Sequence, residues 1–175
     1  MVVLLLGVAA LPAQASVGSK GFPVRRTVRG ALSGSGSSTL DSAGGHPILS
    51  SDSSGSLAAT FLGTATYQLS VGDTGTRRVV GLTITAPSGT LHLGAGPFID
   101  SALSDEPLSI TGGTGLLALA SGELWLHDYT KTDVDCLPSP PAPAPNIFCT
   151  WNETATISGT ILLRLQPPPR YRTRA

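Results

Sequence analysis

Residues 61–86 read FLGTATYQLSVGDTGTRRVVGLTITA, and this stretch decides the fold class. In its first half Phe61, Gly63, Ala65, Tyr67, Leu69 and Val71 alternate with Leu62, Thr64, Thr66, Gln68 and Ser70. A period of two, carried by β-branched and aromatic residues, predicts a long strand with two unlike faces. Gly72-Asp73-Thr74-Gly75 supplies a turn, after which Val80, Leu82, Ile84 and Ala86 alternate with Val79, Gly81, Thr83 and Thr85.

Working outward, Pro87-Ser88-Gly89 makes the next turn, and Leu91 and Leu93 begin a third strand. Residues 108–111, 116–131 and 147–165 read the same way, and no window sustains a helical period. Strands at short spacing between Gly and Pro turns predict an all-β antiparallel fold, a barrel of about eight strands or a sandwich. Upstream, 30–56 (GALSGSGSSTLDSAGGHPILSSDSSGS) is so rich in Gly and Ser that it predicts turns and loops with one short edge strand at most. The expected organisation is therefore a partly ordered Gly/Ser-rich segment over 16–56 and a barrel core over 57–165. Gln166-Pro167-Pro168-Pro169 ends the ladder, because proline lacks the donor, and 166–175 is expected to be a disordered Pro/Arg tail.

At the other end, residues 2–11 (VVLLLGVAAL) are apolar and are followed by Pro12 and Ala13-Gln14-Ala15. A run of about ten is too short to span a bilayer and fits a secretory signal peptide over 1–15, hence a secreted, extracellular protein. No Lys or Arg precedes the run, so Met1 need not be the true start. The formal net charge is zero, which gives no general reason to expect nucleic acid or a membrane surface as partner. That zero hides a segregation. Lys20, Arg25, Arg26 and Arg29 lie at one end and Arg164, Arg170, Arg172 and Arg174 at the other, while all eleven acids lie between, with only Arg77, Arg78 and Lys131. Such basic ends are solvated tails or contacts to an anionic envelope or polymer.

Cys136 and Cys149 bracket LPSPPAPAPNIF. In a secreted chain the pair reads as a disulfide closing a loop stiffened by proline. Two free thiols or metal ligands are the alternatives, and two thiols without a nearby His do not complete a zinc site.

Ile110-Thr111-Gly112-Gly113-Thr114-Gly115 has the look of a dinucleotide-binding turn, but that chemistry needs a helix next, its N-terminus facing the pyrophosphate. Here LLALASGELWLHDY follows, broken at Ser121-Gly122 and then alternating. The same residues, continued through Ala120-Ser121-Gly122, resemble the corner of dirigent proteins and the related allene oxide cyclase-like barrels. That pattern is Ile/Val-x-Gly-Gly-Thr-Gly with an Ala-x-Gly a few residues on. Gly112, Gly113, Thr114, Gly115 and Gly122 would then be structural turn residues. Two features depart from the family: Leu117 stands where an aromatic is usual, and the cysteine-closed loop is additional. The resemblance implies an allene oxide cyclase/dirigent-like barrel that holds a hydrophobic small molecule, with cavity acids doing isomerase or cyclase chemistry in the cyclase relatives. It also implies a homo-oligomer. It calls for no cofactor, and no catalytic residue can be carried over from it.

Among site candidates, Glu123, Trp125, His127 and Tyr129 share one face of a strand, with Leu124 and Leu126 on the other. Turned inward, the first face would give an amphipathic ligand pocket; turned outward, a surface or subunit contact. Asp100, Asp105 and Glu106 cluster before the glycine turn, where carboxylates bind cations or shuttle protons, or simply form an acidic loop. Asp128, Asp133 and Asp135 lack the glycine and spacing of a calcium loop, so no metal is expected there. No Gly-x-Ser-x-Gly occurs, His46, His92 and His127 sit in no catalytic pattern, and Asn152-Glu153-Thr154 is a glycosylation sequon. Three functions remain: a binding or orienting barrel, a cofactor-independent isomerase or cyclase, and a structural envelope protein.

Overall fold

The computed structural model describes residues 22–41, 48–73, 78–98, 106–138 and 147–165. They form eight strands, β1 Phe22–Asp41, β2 Ile48–Ala59, β3 Gly63–Asp73, β4 Arg78–Ala86, β5 Gly89–Phe98, β6 Glu106–Gly113, β7 Ser121–Pro138 and β8 Ile147–Leu165. Each pairs antiparallel with its neighbour in sequence, and β1 pairs with β8, so the sheet closes into a barrel. Closure removes the exposed edges that an open sheet would offer for aggregation. The eight-stranded antiparallel barrel expected from the alternation is the fold observed.

The alternation sorts inside from outside as the period of two requires. Ala65, Tyr67, Leu69 and Val71 of β3 and Val80, Leu82, Ile84 and Ala86 of β4 point inward. They meet Leu91, Leu93, Leu108, Leu124, Leu126, Ile157 and Ile161 in one core cluster. Each such aliphatic side chain contributes about 1.5–3 kcal/mol by leaving water, and in an eight-stranded barrel side chains of this size fill much of the interior.

Three expectations need correction. The Gly/Ser-rich stretch is not a loop with one edge strand: it supplies nearly all of β1 and β2, including the strand that closes the barrel on β8. Its inner register, Val28, Leu32, Gly34, Gly36 and Ser38, carries glycine where an apolar residue would have announced a strand. The barrel thus begins at Phe22, not at residue 57. Phe61 does not lead the inward row of β3. It sits exposed at φ 68° in the β2–β3 turn, with the Arg26 guanidinium 5.8 Å from its ring centroid, and Leu62 is buried instead. Finally, 116–131 is not one strand: a 3-10 turn at Gly115–Leu117 precedes β7.

That 3-10 turn belongs to the glycine corner. Thr114 bonds Thr90 twice, its backbone N–H donating to the Thr90 carbonyl (2.8 Å) and its hydroxyl accepting from the Thr90 N–H (3.0 Å). Gly115, at φ 59°, packs on Ser88 and Gly89 so closely that a Cβ would lie 2.7 Å from the Ser88 carbonyl oxygen. The corner buries Leu117 completely. Of the glycines read as turn residues, Gly115 lies in the 3-10 turn, whereas Gly112 and Gly113 end β6 and Gly122 lies within β7 at φ 129°.

Cys136 and Cys149 form a disulfide between residues that face each other in the β7–β8 ladder. No helix among the described residues is long and apolar enough to cross a membrane. The signal-peptide reading of 1–15 and the disordered-tail reading of 166–175 fall outside the described residues.

Candidate functional site

Along the inner face of β8 the order is Trp151, Glu153, Ala155, Ile157: a carboxylate in phase with the core. Glu153 is 1% exposed. Burying an ionised carboxylate is costly unless donors replace the lost water, and the barrel brings them from four strands. The Tyr67 hydroxyl of β3 donates to one carboxylate oxygen at 2.6 Å. The Tyr129 hydroxyl of β7 (2.6 Å) and the Trp151 indole N–H (2.9 Å) donate to the other. Ser53 of β2 adds a further side-chain hydrogen bond.

Two glycines let Tyr67 reach across. At this level the ladder runs Glu153, Gly34, Gly55, Tyr67 from β8 through β1 and β2 to β3. Because the two intervening residues have no side chains, the Tyr67 hydroxyl comes over them to the carboxylate. A Cβ on Gly34 would strike that hydroxyl oxygen. Gly36 does the same for Trp151, since its Cβ would lie 2.7 Å from the indole Cζ2. These are the close approaches for which a strand interior tolerates glycine.

Tyr129 arrives by a different device. Leu124 and Leu126 point inward, so strict alternation would send Tyr129 outward with Trp125. Between the pairs His127–Thr156 and Thr130–Thr154, however, β7 carries one more residue than β8, a β-bulge. Asp128 absorbs it at φ 53°, a left-handed conformation that Asp adopts more readily than most residues. The inward parity changes, and Tyr129 turns to Glu153. A second bulge at Asp133 (φ 51°) changes it back before Cys136. The aspartates weighed as a calcium loop thus include the two bulge residues, and Asp133 accepts a hydrogen bond from Asn152 at 2.9 Å.

The electrostatics follow from these contacts. Burial pushes the Glu153 carboxyl up, but the hydrogen bonds from Tyr129, Tyr67, Ser53 and Trp151 outweigh it and hold it below the ordinary range, so it stays ionised. Burial, followed by the bond and charge of Glu153, pushes both tyrosine hydroxyls well above theirs, so they remain donors. Lys131, directly opposite Glu153 in the ladder, lays its ammonium 3.5 Å from the centroid of the Trp151 ring. Desolvation there lowers its pKa, partly offset by Glu153. A depression of about 450 Å³ lined by Ser35, Gly36, Ser37, Asp52, Ser53, Ser54 and Gln68 reaches the wall behind this cluster.

The residues singled out from the sequence separate. Tyr129 joins the buried cluster, whereas Glu123 and Trp125 do not: both face outward, Trp125 being 37% exposed. His127 is half-buried on the same outer side, bonded to the Ser158 hydroxyl at 2.8 Å. Of the two orientations left open for Glu123, Trp125, His127 and Tyr129, neither holds for all four, because the bulge turns Tyr129 inward and leaves the other three outside. Asp100 and Asp105 lie outside the described residues. Glu153, Tyr67 and Trp151 were missed, although the in-phase order Trp151-x-Glu153-x-Ala155-x-Ile157 carried the signal. No family model, curated protein or solved structure matches the chain.

Proposed function

We propose that the chain is a secreted, dirigent-like barrel that binds or orients a hydrophobic small molecule at the Glu153 end, without redox or hydrolytic chemistry of its own. The carrying observation is the 1%-exposed Glu153 carboxylate held by donors from Tyr67, Tyr129 and Trp151. A buried charge is a poor way to stabilise a barrel, since well-packed aliphatic residues of similar volume do as well or better. A site offering an acceptor beside aromatic rings suits an apolar ligand that bears a hydroxyl donor. Tyr129, the half-buried member, stands at its edge. Secretion is supported by the apolar leader and by the disulfide, which persists in oxidising compartments. The family reading is supported by the closed eight-stranded meander and the glycine corner.

A second reading, an isomerase or cyclase, is favoured by the placement of the Glu153 carboxylate against two tyrosine hydroxyls, an acceptor and two proton donors in one site. The two are tested together. The chain has two tryptophans, so W125F leaves Trp151 as reporter. Titration with a panel of phenols and apolar aromatic alcohols should give a saturable Trp151 fluorescence change, about tenfold weaker in E153Q, a difference of about 1.4 kcal/mol. A ligand consumed on incubation with the parent protein but not with E153Q makes the protein an enzyme. No Trp151 response to any member of the panel overturns both readings.

A further inference from the structure

The outward turn of Glu123 and Trp125 places them in a second site, separate from the buried cluster. They line a groove of about 570 Å³ on the outer wall with Arg25, Ser109, Gly122, Gly159, Thr160 and Leu162. The register shows how it is laid out. Across β7, β8 and β1, Glu123 lies level with Thr160 and Thr27, and Trp125 with Ser158 and Arg29. Arg25 lies level with Leu162 and donates from its guanidinium to the Thr160 hydroxyl at 3.4 Å. Arg164 is exposed on this same outer register, two residues beyond Leu162. An exposed indole is thus flanked by hydroxyls, one carboxylate and the Arg25 guanidinium, with Arg29 level with it on β1.

We infer that this groove binds a uronic acid-containing oligosaccharide, the Trp125 ring lying under a sugar and Arg25 and Arg29 pairing with its carboxylates. The indole face carries the negative lobe of the ring quadrupole and meets the C–H face of a pyranose, while Glu123, Ser158 and Thr160 bond its hydroxyls. Guanidinium groups pair with carboxylates in two-pronged geometry. Charge over a longer reach agrees. β1 begins and β8 ends side by side at the Phe22–Leu165 pair, and the sequence beyond carries Lys20 on one side and Arg170, Arg172 and Arg174 on the other. A neutral glucan would leave these charges without a counterpart.

The test is calorimetric titration of the full secreted chain with oligogalacturonate of six units. A neutral cello-oligosaccharide of equal length and a sulfated polysaccharide serve as comparisons. The oligogalacturonate should bind at least about tenfold more tightly than the neutral oligomer. W125A and R29Q, both on the surface, should each weaken it about tenfold or more while leaving the thermal midpoint within a degree or two. Equal binding of the neutral oligomer overturns the carboxylate assignment. Affinity unchanged in W125A overturns the site and leaves only attraction to the basic tails. Sulfated-polysaccharide binding that survives W125A while oligogalacturonate does not bind overturns the inference as well. Since E153Q leaves this groove intact, loss of the interior ligand site and loss of this one are read separately.

Discussion

The Tyr129 hydroxyl reaches Glu153 at 2.6 Å because β7 holds one residue more than β8 between the His127–Thr156 and Thr130–Thr154 pairs. The extra residue, Asp128, sits in the left-handed region. Deleting Asp128 should remove the bulge yet leave Tyr129 facing inward, because it then follows the outward His127 directly and the Thr130–Thr154 pairing is kept. D128G should be tolerated, as glycine adopts that conformation freely, whereas D128V should cost about 1–2 kcal/mol. Urea unfolding of the three variants checks the order. D128V as stable as the parent would sink the bulge argument.

Tyr67 and Tyr129 serve different oxygens of one carboxylate, so their contributions are coupled through it. A hydrogen bond to a buried charge is worth about 1.5–3 kcal/mol, and Y67F should lose more than Y129F, since Tyr67 is fully buried and Tyr129 only partly. In a double-mutant cycle the second loss should differ from the first by about 0.5 kcal/mol or more. Strict additivity would mean that the two hydroxyls do not act on a common charge.

Glu153 makes stability depend on pH in a stated direction. Its folded pKa lies below its unfolded one, so the unfolded chain binds the proton more readily. The stabilisation is present above the unfolded value of about 4.3 and is lost as pH falls through the folded value. Unfolding free energy of the parent should therefore fall as the pH is taken below about 5. E153Q should be less stable at neutral pH and show a shallower drop. A slope as steep in E153Q would assign the acid sensitivity to other carboxylates.

The same carboxylate marks where the sequence was readable and where it was not. Tyr67, Leu69, Val71, Val80, Leu82 and Ile84 face inward as their alternation requires, because there the interior wants apolar bulk. Around Glu153 it wants something else. The aromatic rings come from β3 and β8, and the strands between them must offer glycine, so Gly34, Gly36 and Gly55 look like loop composition when read alone. The glycines make sense only once Tyr67 and Trp151 are seen over them. Likewise, Trp125 and Tyr129 are four residues apart, and no rule of alternation separates them. The bulge that does so is signalled only by Asp128, a residue that also fits any exposed turn.

Removal of the disulfide should show how independent the Glu153 cluster is of the far end of β7 and β8. Cys136 and Cys149 are 13 residues apart, and closing a loop of that size stabilises by about 3 kcal/mol through the unfolded chain. C136S/C149S should lower the unfolding free energy by roughly that amount. Trp151 emission in the W125F background should stay unchanged, because the cluster's donors come from β2, β3, β7 and β8 within the closed barrel. A red-shifted Trp151 would show instead that the bridge holds the cluster together.

The glycines give the sharpest contrast between two chemically identical changes. At Gly36 an added methyl would lie 2.6 Å from the Ser53 Cβ and 2.7 Å from the Trp151 ring. Neither neighbour is a free chain end, since Ser53 and Trp151 are both bonded to Glu153. Overpacking of this kind costs about 1–3 kcal/mol, and G36A should also shift Trp151 emission as the indole is pushed off the carboxylate. At Gly72, near the end of β3, nothing lies within 4 Å of an added Cβ. There the methyl only narrows the conformations of the unfolded chain, and G72A should stabilise by about 0.4–1 kcal/mol. Thermal melts of the pair in the W125F background read both effects at once. The account of the thin β1–β2 wall fails if G36A melts with the parent and leaves Trp151 emission where it was.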